Sequence, residues 1–279
     1  MSLSRALDER LLRLLRCPVC EGPLHAGDGA VRCPQCHTFN VARQGYVSLL
    51  TGKRATSGDD ADMVAARSRF LATGCYDAVR RAVADTAARA APDRGVVVDA
   101  GCGTAYYLAA VLDRLPGFWG LGLDTSAASL RAAARAHERA GAATWDVFRP
   151  LPLTSGVADV VLDVFAPRNP AEFHRILRPT GRLVVVRPTD RHLTELRDEE
   201  PAMVTVDPKK EQRLHEALDP YFEAWATERV EYPAELTGEQ ARDLLAMTPT
   251  ARHLDPTTDS RPGPVSVTVS VLVTAYQPR

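Results

Sequence analysis

Apolar and polar positions change their rhythm several times along the chain, and each change marks a predicted element. Between residues 17 and 50 there is no helical period. Paired cysteines, with Gly22, Gly27 and Gly29 between them, leave room for a short hairpin ahead of Tyr46-Val-Ser-Leu-Leu50. The stretch Thr51-Gly-Lys-Arg-Ala-Thr-Ser-Gly58 is polar and reads as a connector. Asp59 to Asp62 then opens a helix, because acids favour the positive end of its dipole, and Met63, Arg67, Phe70 and Leu71 recur at helical spacing. A second helix is predicted from Tyr76 to Ala91, stopped by Pro92. From Gly95 the pattern becomes strand, loop, helix: Val96-Val-Val-Asp99, then Ala-Gly101-Cys-Gly103-Thr-Ala105, then Tyr106–Leu115. Further apolar runs at Trp119–Leu123, Val160–Phe165 and Leu183–Val186, separated by alanine-rich helical stretches, predict an α/β fold with a doubly wound, mostly parallel sheet. A late strand at Arg229–Leu236, a helix around Glu239–Met247 and a long strand at Val265–Tyr276 close it. The organisation expected is a small module at 1–52, a linker and helical lead-in at 53–92, and a large domain at 93–279.

Composition narrows the class. In 279 residues, 45% are hydrophobic and 25% charged, as in ordinary globular chains, which excludes a mostly disordered protein. No run approaches the eighteen apolar residues of a membrane span. Arg5, Arg10, Arg13 and Arg16 interrupt the first leucines, so no signal peptide is read and a cytoplasmic protein is expected. Residues 1–58 hold eight basic against four acidic side chains, a net +4, whereas the whole chain is −1 and the remainder therefore −5. A basic amino-terminal piece on an acidic body suits a polyanionic partner.

Four of the six cysteines crowd into Cys17-Pro-Val-Cys20 and Cys33-Pro-Gln-Cys36, followed by His37. Paired knuckles in a reducing compartment point to a metal before a disulfide, because each bends tightly enough to aim two soft donors at one ion. Zinc takes four such ligands in a tetrahedron, and a site filled by protein alone is structural. Cys17, Cys20 and Cys33 are common to two schemes; Cys36 or His37 supplies the fourth ligand, and spacing alone favours Cys36. The competing reading is a redox pair, but nothing βαβ-like surrounds these cysteines.

Gly101 and Gly103 follow a strand and open a helix, where backbone must approach a nucleotide-like ligand closely. Asp124 ends the next apolar run, placed to accept hydrogen bonds from ribose hydroxyls. Two cofactors fit so far. Asp99 separates them: a carboxylate at the strand end repels the pyrophosphate of NAD but complements the ammonium of S-adenosylmethionine (SAM). Tyr106 also occupies the place of the third glycine of a dinucleotide fingerprint. Asp146 and Val147 are placed to hold the adenine amino group and ring face, and Phe165-Ala-Pro-Arg-Asn169 ends a strand at the crevice.

With these residues in hand, the chain resembles the bacterial 23S rRNA (guanine-N1)-methyltransferases, and is similar to their macrolide (tylosin-type) resistance branch. The matching segments are Cys17-x-x-Cys20, Cys33-Pro-x-x-His37, Ala42-Arg-Gln-Gly45-Tyr-Val-Ser-Leu-Leu50, Asp62-Met-Val-Ala-Ala-Arg67, Phe70-Leu-Ala-Thr-Gly-Cys-Tyr76, Asp99-Ala-Gly-Cys-Gly103, Phe165–Asn169, Arg191-His-Leu-x-Glu-Leu196 and Met247-Thr-Pro249. The resemblance implies a Rossmann-like, seven-stranded methyltransferase domain. It also implies zinc on Cys17, Cys20, Cys33 and His37, against the spacing preference for Cys36, and SAM contacts from Tyr76, Gly103, Thr104 and His192. The chain departs from the family pattern at Cys75, where histidine is usual, and at Ala105, where glycine is common.

The implied reaction is transfer of a methyl group from SAM to N1 of one guanine in a 23S rRNA hairpin loop, with macrolide resistance as a consequence. N1 lies on the Watson–Crick edge, so the base must be unpaired or flipped out. Arg168 and Asn169 are candidate substrate-facing groups, and no general base is assigned. RNA would meet the zinc module through shape and phosphates, with Arg32, Arg43, Lys53 and Arg54 as candidates. Deleting residues 1–52 is then expected to abolish RNA methylation and spare SAM binding. Two other classes stay open on sequence: a methyltransferase for a small molecule, and a non-catalytic RNA-binding protein. No heptad or other dimerisation signature is present, and a homodimer is left open.

Overall fold

The run Val96-Val-Val sends alternate side chains to opposite faces, and both faces are covered. In the computed structural model the described residues are 7–52, 58–89, 91–199, 213, 216–248 and 263–279. The run lies in β4 (Gly95–Ala100), at the middle of a seven-stranded sheet ordered β6-β5-β4-β7-β8-β10-β9. Its parallel half comprises β6 (Ala140–Thr144), β5 (Phe118–Asp124), β4, β7 (Ala158–Val164) and β8 (Leu177–Pro188). β10 (Val265–Pro278) pairs antiparallel with both β8 and β9 (Phe222–Leu236). Parallel strands need helical crossovers, and these cover both faces with apolar side chains.

Val97, Leu162 and Val184 turn to one core, packed by α2 (Ala61–Ala72), α3 (Asp77–Ala88), α4 (Tyr106–Arg114) and α8 (Gly238–Ala246). Val98, Val161 and Val185 turn to the other, packed by α1 (Glu9–Leu12) and α6 (Pro170–Ile176). α5 (Ala127–Ala133) follows β5, and α7 (Thr194–Glu199) follows β8. α2 starts where the acids predict it. Asp60 is the N-cap, accepting from the N–H groups of Asp62 (3.0 Å) and Met63 (2.9 Å). α3 ends at Ala88, three residues short of the predicted stop.

One strand of the large sheet was not predicted. β6 reads Ala-Gly-Ala-Ala-Thr, with no β-branched apolar run to announce it. Its composition has a packing reason: a Cβ on Gly141 would lie 2.9 Å from Leu11 Cδ1, so the bare backbone lets the leucines of α1 lie directly on the sheet.

The amino-terminal piece is a three-stranded antiparallel sheet, β1 (His25–Gly27), β2 (Ala30–Arg32) and β3 (Thr38–Asn40). Gly29, at φ +63°, makes the turn of the predicted hairpin. This piece is joined to the large sheet by backbone. Val47 bridges in parallel to Ala143 beside β6, donating to Ala142 O (2.9 Å) and accepting from the Thr144 N–H (2.8 Å). Leu15 bridges to Leu153, and Leu11, Leu12, Leu15, Val47 and Leu49 are buried in the same core as Leu121 and Leu123. No helix among the described residues is long and apolar enough to cross a membrane.

Candidate functional site

The two knuckles bring four donors together. The ligand atoms of Cys17, Cys20, Cys33 and His37 all lie within 4.8 Å of one another. Cys20 and Cys33 Sγ are 3.6 Å apart, and His37 Nδ1 is 3.6 Å from Cys17 Sγ and 3.3 Å from Cys33 Sγ. A zinc tetrahedron with bonds of about 2.3 Å to sulfur and 2.0–2.1 Å to nitrogen has edges of roughly 3.5–3.8 Å, so this donor set fits zinc. Cys36 stands outside the cluster. It is exposed and in the left-handed region at φ +63°, turning the chain so that His37 points inward. The spacing preference for Cys36 is thereby corrected, since equal spacing says nothing about which side of a turn a residue occupies.

The second site lies at the carboxyl ends of β4, β5, β6 and β7, where open parallel sheets bind ligands. Gly101 (φ +81°) and Gly103 (φ +53°) curl the loop after β4. Gly101 and Cys102 donate to Leu123 O at 2.8 and 3.0 Å, tying the loop to β5. A Cβ on Gly101 would sit 2.6 Å from Ala166 Cβ, so only glycine lets the loops after β4 and β7 meet. Ala105 completes the curl at φ +62° and caps α4 without a side-chain bond.

Three carboxylates gather near this loop. Asp99 is buried, and burial first, then the charges of Asp124 and Asp163, push its carboxyl up to about 8. Asp124 accepts from the Gly103 N–H on one oxygen and the Ser126 N–H on the other, each at 2.8 Å; burial raises its pKa while these bonds oppose the rise. Asp163 is fully buried and pushed up to about 7 by burial, against the pull of Arg168, whose Nε lies 3.1 Å from its Oδ2. That contact is an ion pair without aligned hydrogen-bond geometry.

Two adjoining cavities of about 50 and 150 Å³ run past the loop, sharing Arg67, Gly101, Gly103, Val164 and Phe165. Asp99, Thr104, Tyr76 and Tyr107 line the smaller; Asp124, Asp146, Val147 and Phe148 line the larger. Asp146 accepts from the Phe148 N–H (3.0 Å), and Val147 is buried. Asn169 Nδ2 donates to Val147 O at 2.9 Å and so braces this loop from behind. Arg168 directs its guanidinium to Asp163, and its side chain is 22% exposed.

His192 arrives from the loop after β8. Its Nδ1 accepts the Ser270 N–H at 3.1 Å, and its Nε2 lies 3.3 Å from the Tyr76 hydroxyl. A ring nitrogen facing a backbone donor cannot also carry a proton, so the neutral ring holds its hydrogen on Nε2, aimed at Tyr76. Burial first, and then Arg197, depress its pKa to about 4. His192 is therefore a neutral donor to Tyr76, whose own buried hydroxyl is pushed up by desolvation and stays protonated.

Sequence reading quoted Arg67 without giving it a role. From α2 its Nη2 holds Asp59 Oδ2 (2.6 Å) and Met247 O (2.9 Å), while its Nε is buried without an acceptor among the described residues. It lines both cavities. Tyr107, Trp145 and Phe148 were also missed: Tyr107 sits inside the predicted helix and the other two flank Asp146 and Val147, with no spacing signal to single them out. A larger cavity, about 710 Å³, lies elsewhere, between the zinc module and the loops after β6, with Arg16, Cys17, Trp145 and Arg149 on its walls. Arg32 and Arg43 are exposed on the module; Lys53, Arg54 and Pro249 fall outside the described residues.

Comparison with known proteins follows the same two parts. Residues 15–57 match the family model of the RlmA amino-terminal zinc ribbon. Over 279 residues the chain is 45% identical to the 23S rRNA (guanine(748)-N(1))-methyltransferase of Streptomyces fradiae, covering 97% of this chain and 99% of that one. A Micromonospora griseorubida protein, named by inference as a 23S rRNA (guanine-N1)-methyltransferase, is 45% identical over 291 residues, covering 96% of this chain and 98% of its own. A Bacillus subtilis protein named in the same way is 32% identical over 253 residues, covering 85% and 86%.

Proposed function

Because the chain belongs to the 23S rRNA (guanine-N1)-methyltransferase family, we propose that it transfers a methyl group from SAM to N1 of one guanine in a 23S rRNA hairpin loop. The observation that carries this reading is the near-full-length match, which takes in the zinc module as well as the catalytic sheet. A small-molecule substrate is not favoured, since the relatives that share both parts bear rRNA names. Guanine 748 of 23S rRNA, the base in the name of the Streptomyces fradiae relative, is the first to examine, and macrolide resistance is the cellular consequence to look for.

SAM, when bound, supplies an electrophilic methyl on a positively charged sulfur. The chain's own residues bind and orient. Asp99 meets the ammonium, and the unpaired Nε of Arg67 meets the carboxylate beside it. Gly103 and Thr104 leave room for close approach, and Asp124 takes the ribose hydroxyls. Asp146 and Val147 hold the adenine. Tyr76, steadied by the neutral His192, keeps its hydroxyl proton free to point into the cleft. Holding donor and acceptor in line is the main task of such an enzyme, because alignment alone supplies much of the rate. Zinc on Cys17, Cys20, Cys33 and His37 is structural: every place is filled by protein.

RNA is taken as the polyanionic partner of the basic amino-terminal piece, and its ribosomal origin puts the enzyme in the cytoplasm. Deleting residues 1–52 would also strip Leu11, Leu15, Val47 and Leu49 from the shared core, so charge substitutions at Arg32 and Arg43 are the cleaner probe. The decisive experiment combines purified protein, labelled SAM and unmethylated 23S rRNA, with mass spectrometry locating the product. A methyl on N1 of a single loop guanine is the expected result. SAM binding without transfer to rRNA would overturn the reading.

A further inference from the structure

Four large apolar side chains are exposed among the described residues: Val19, Phe148, Phe165 and Trp225. Trp225 is covered by Arg182, whose guanidinium lies 4.9 Å from its ring centroid, and Val19 belongs to the first zinc knuckle. The other two differ in kind. Phe165, 40% exposed, and Phe148, 66% exposed, come from separate loops at the ends of β7 and β6, yet both line the cavity that runs past Asp124. Exposed aromatic rings on two sides of one cleft are costly to leave in water and call for a planar apolar partner.

Phe165 carries a second mark. Its φ is +54°, a conformation that bulky residues adopt only under constraint. Burial does not repay that strain, because the ring stays partly in water; strained backbone at a cleft is a device for aiming a side chain. The ring is aimed among Tyr76, Tyr107 and His192, with centroids 6.5, 6.4 and 6.3 Å away, close to the end of the cleft that holds Asp99. Phe148 is held by its loop: its N–H is fixed on Asp146 Oδ1, and Asn169 anchors the neighbouring Val147 carbonyl. Both rings are thus placed by the frame and free on their outer faces.

We propose that Phe165 and Phe148 are substrate-positioning residues that replace base stacking: the target guanine stacks on Phe165, and an adjacent nucleobase of the same RNA loop stacks on Phe148. This rests on the rRNA reading above. N1 becomes reachable only when guanine leaves its stack, and an aromatic face restores what is lost without reading sequence. On the cofactor placement proposed above, adenine lies against Val147, which is buried in the cavity wall, and leaves the exposed Phe148 ring to the RNA.

The test uses a hairpin RNA fragment spanning the modified loop. Steady-state methylation is measured beside SAM affinity by calorimetry for the wild type, Phe165→Ala, Phe165→Tyr and Phe148→Ala. Phe165→Ala should lose roughly 10- to 100-fold in kcat/KM for RNA, the size carried by one base–aromatic stack, with SAM affinity within about threefold of wild type. Phe165→Tyr should recover most of it, which a merely structural loss would not explain. Phe148→Ala, at an exposed position that cannot compromise folding, should raise KM for RNA with kcat little changed. Wild-type constants in both alanine variants would overturn this inference alone. A wild type that binds SAM but leaves the RNA unmethylated would overturn the rRNA reading, and this inference with it.

Discussion

With SAM placed as proposed, its ammonium on Asp99, binding is expected to be a proton-coupled event. Burial, reinforced by Asp124 and Asp163, holds the Asp99 pKa at about 8 in the free protein, so at neutral pH much of the population is protonated. Only the carboxylate pairs with the ammonium of SAM, and below pH 8 a proton must therefore leave as the ligand binds. Well below 8 each further unit costs about tenfold in apparent affinity, roughly 1.4 kcal/mol; since carboxyl and ammonium are each about half charged in the right sense at pH 8 itself, binding at pH 6 should be roughly 25-fold weaker than at pH 8. Above pH 8 affinity falls again, because an α-amino group ordinarily titrates at about 7.7–8.0 and loses its charge. Of the other groups facing the cleft, His192 at about 4 lies outside this window, and Tyr76 and Tyr107 titrate above it. Asp124 is also raised, and Asp163, pushed up to about 7, titrates inside the window, so each needs its own asparagine control. Calorimetry in two buffers of different ionisation heat, at pH 6, 7 and 8, measures affinity and proton release together. Release approaching one proton at pH 6, with the acid limb abolished in Asp99→Asn and kept in Asp124→Asn and Asp163→Asn, is expected. A flat affinity between pH 6 and 8 with no proton released would refute the reasoning. Linkage gives a companion sign: a carboxyl raised from 3.8 to about 8 binds more protons folded than unfolded, so its contribution favours the ligand-free fold at low pH and is lost as pH rises through 8.

Zinc content separates the two candidate fourth ligands. His37→Ala should lose zinc on gel filtration, whereas Cys36→Gly should keep one equivalent by metal analysis and match or exceed wild-type thermal stability by up to about 1 kcal/mol, because it removes an exposed left-handed side chain. Arg67→Ala should weaken SAM about 10- to 100-fold while leaving decarboxylated SAM nearly unaffected, since a charged hydrogen bond is worth about 1.5–3 kcal/mol; equal losses for both ligands would count against the carboxylate contact. Gly101→Ala combines a left-handed backbone with a 2.6 Å approach to Ala166 Cβ, and should cost at least about 2 kcal/mol by denaturant titration.

What the sequence made legible were features written in consecutive residues. The β-branched run ending at Asp99, the two glycines and the helix from Tyr106 lie within one short stretch, and both knuckles announce themselves by spacing. β6 escaped because alanine and glycine carry no strand signature, and its composition answers to Leu11 across the interface. The Tyr76–His192 pair was invisible for a related reason: its partners are 116 residues apart, and the tautomer is set by a third residue, Ser270. Arg67 was counted with Met63, Phe70 and Leu71 in the period of its helix, which gives it no chemistry; only the tertiary approach of Asp59 and Met247 sets it beside the glycine loop. Family resemblance named His37, but the reason, a left-handed Cys36, belongs to backbone geometry that no residue count contains.

The bridge from Val47 to β6 also fixes an order of events during synthesis. Leu50 leaves the ribosome 94 residues before Thr144, which accepts its N–H, and Leu14 leaves 140 residues before Thr154. Throughout that interval the amino-terminal piece has no sheet edge to lie on, and Leu11, Leu15, Val47 and Leu49 have no core to enter. Its metal donors suffer no such delay, because all four fall between residues 17 and 37. Zinc can therefore close the hairpin first and hold an unfinished unit in register, its apolar side waiting for a strand not yet made. On this account zinc starvation during translation should damage the enzyme more than chelation after folding is complete.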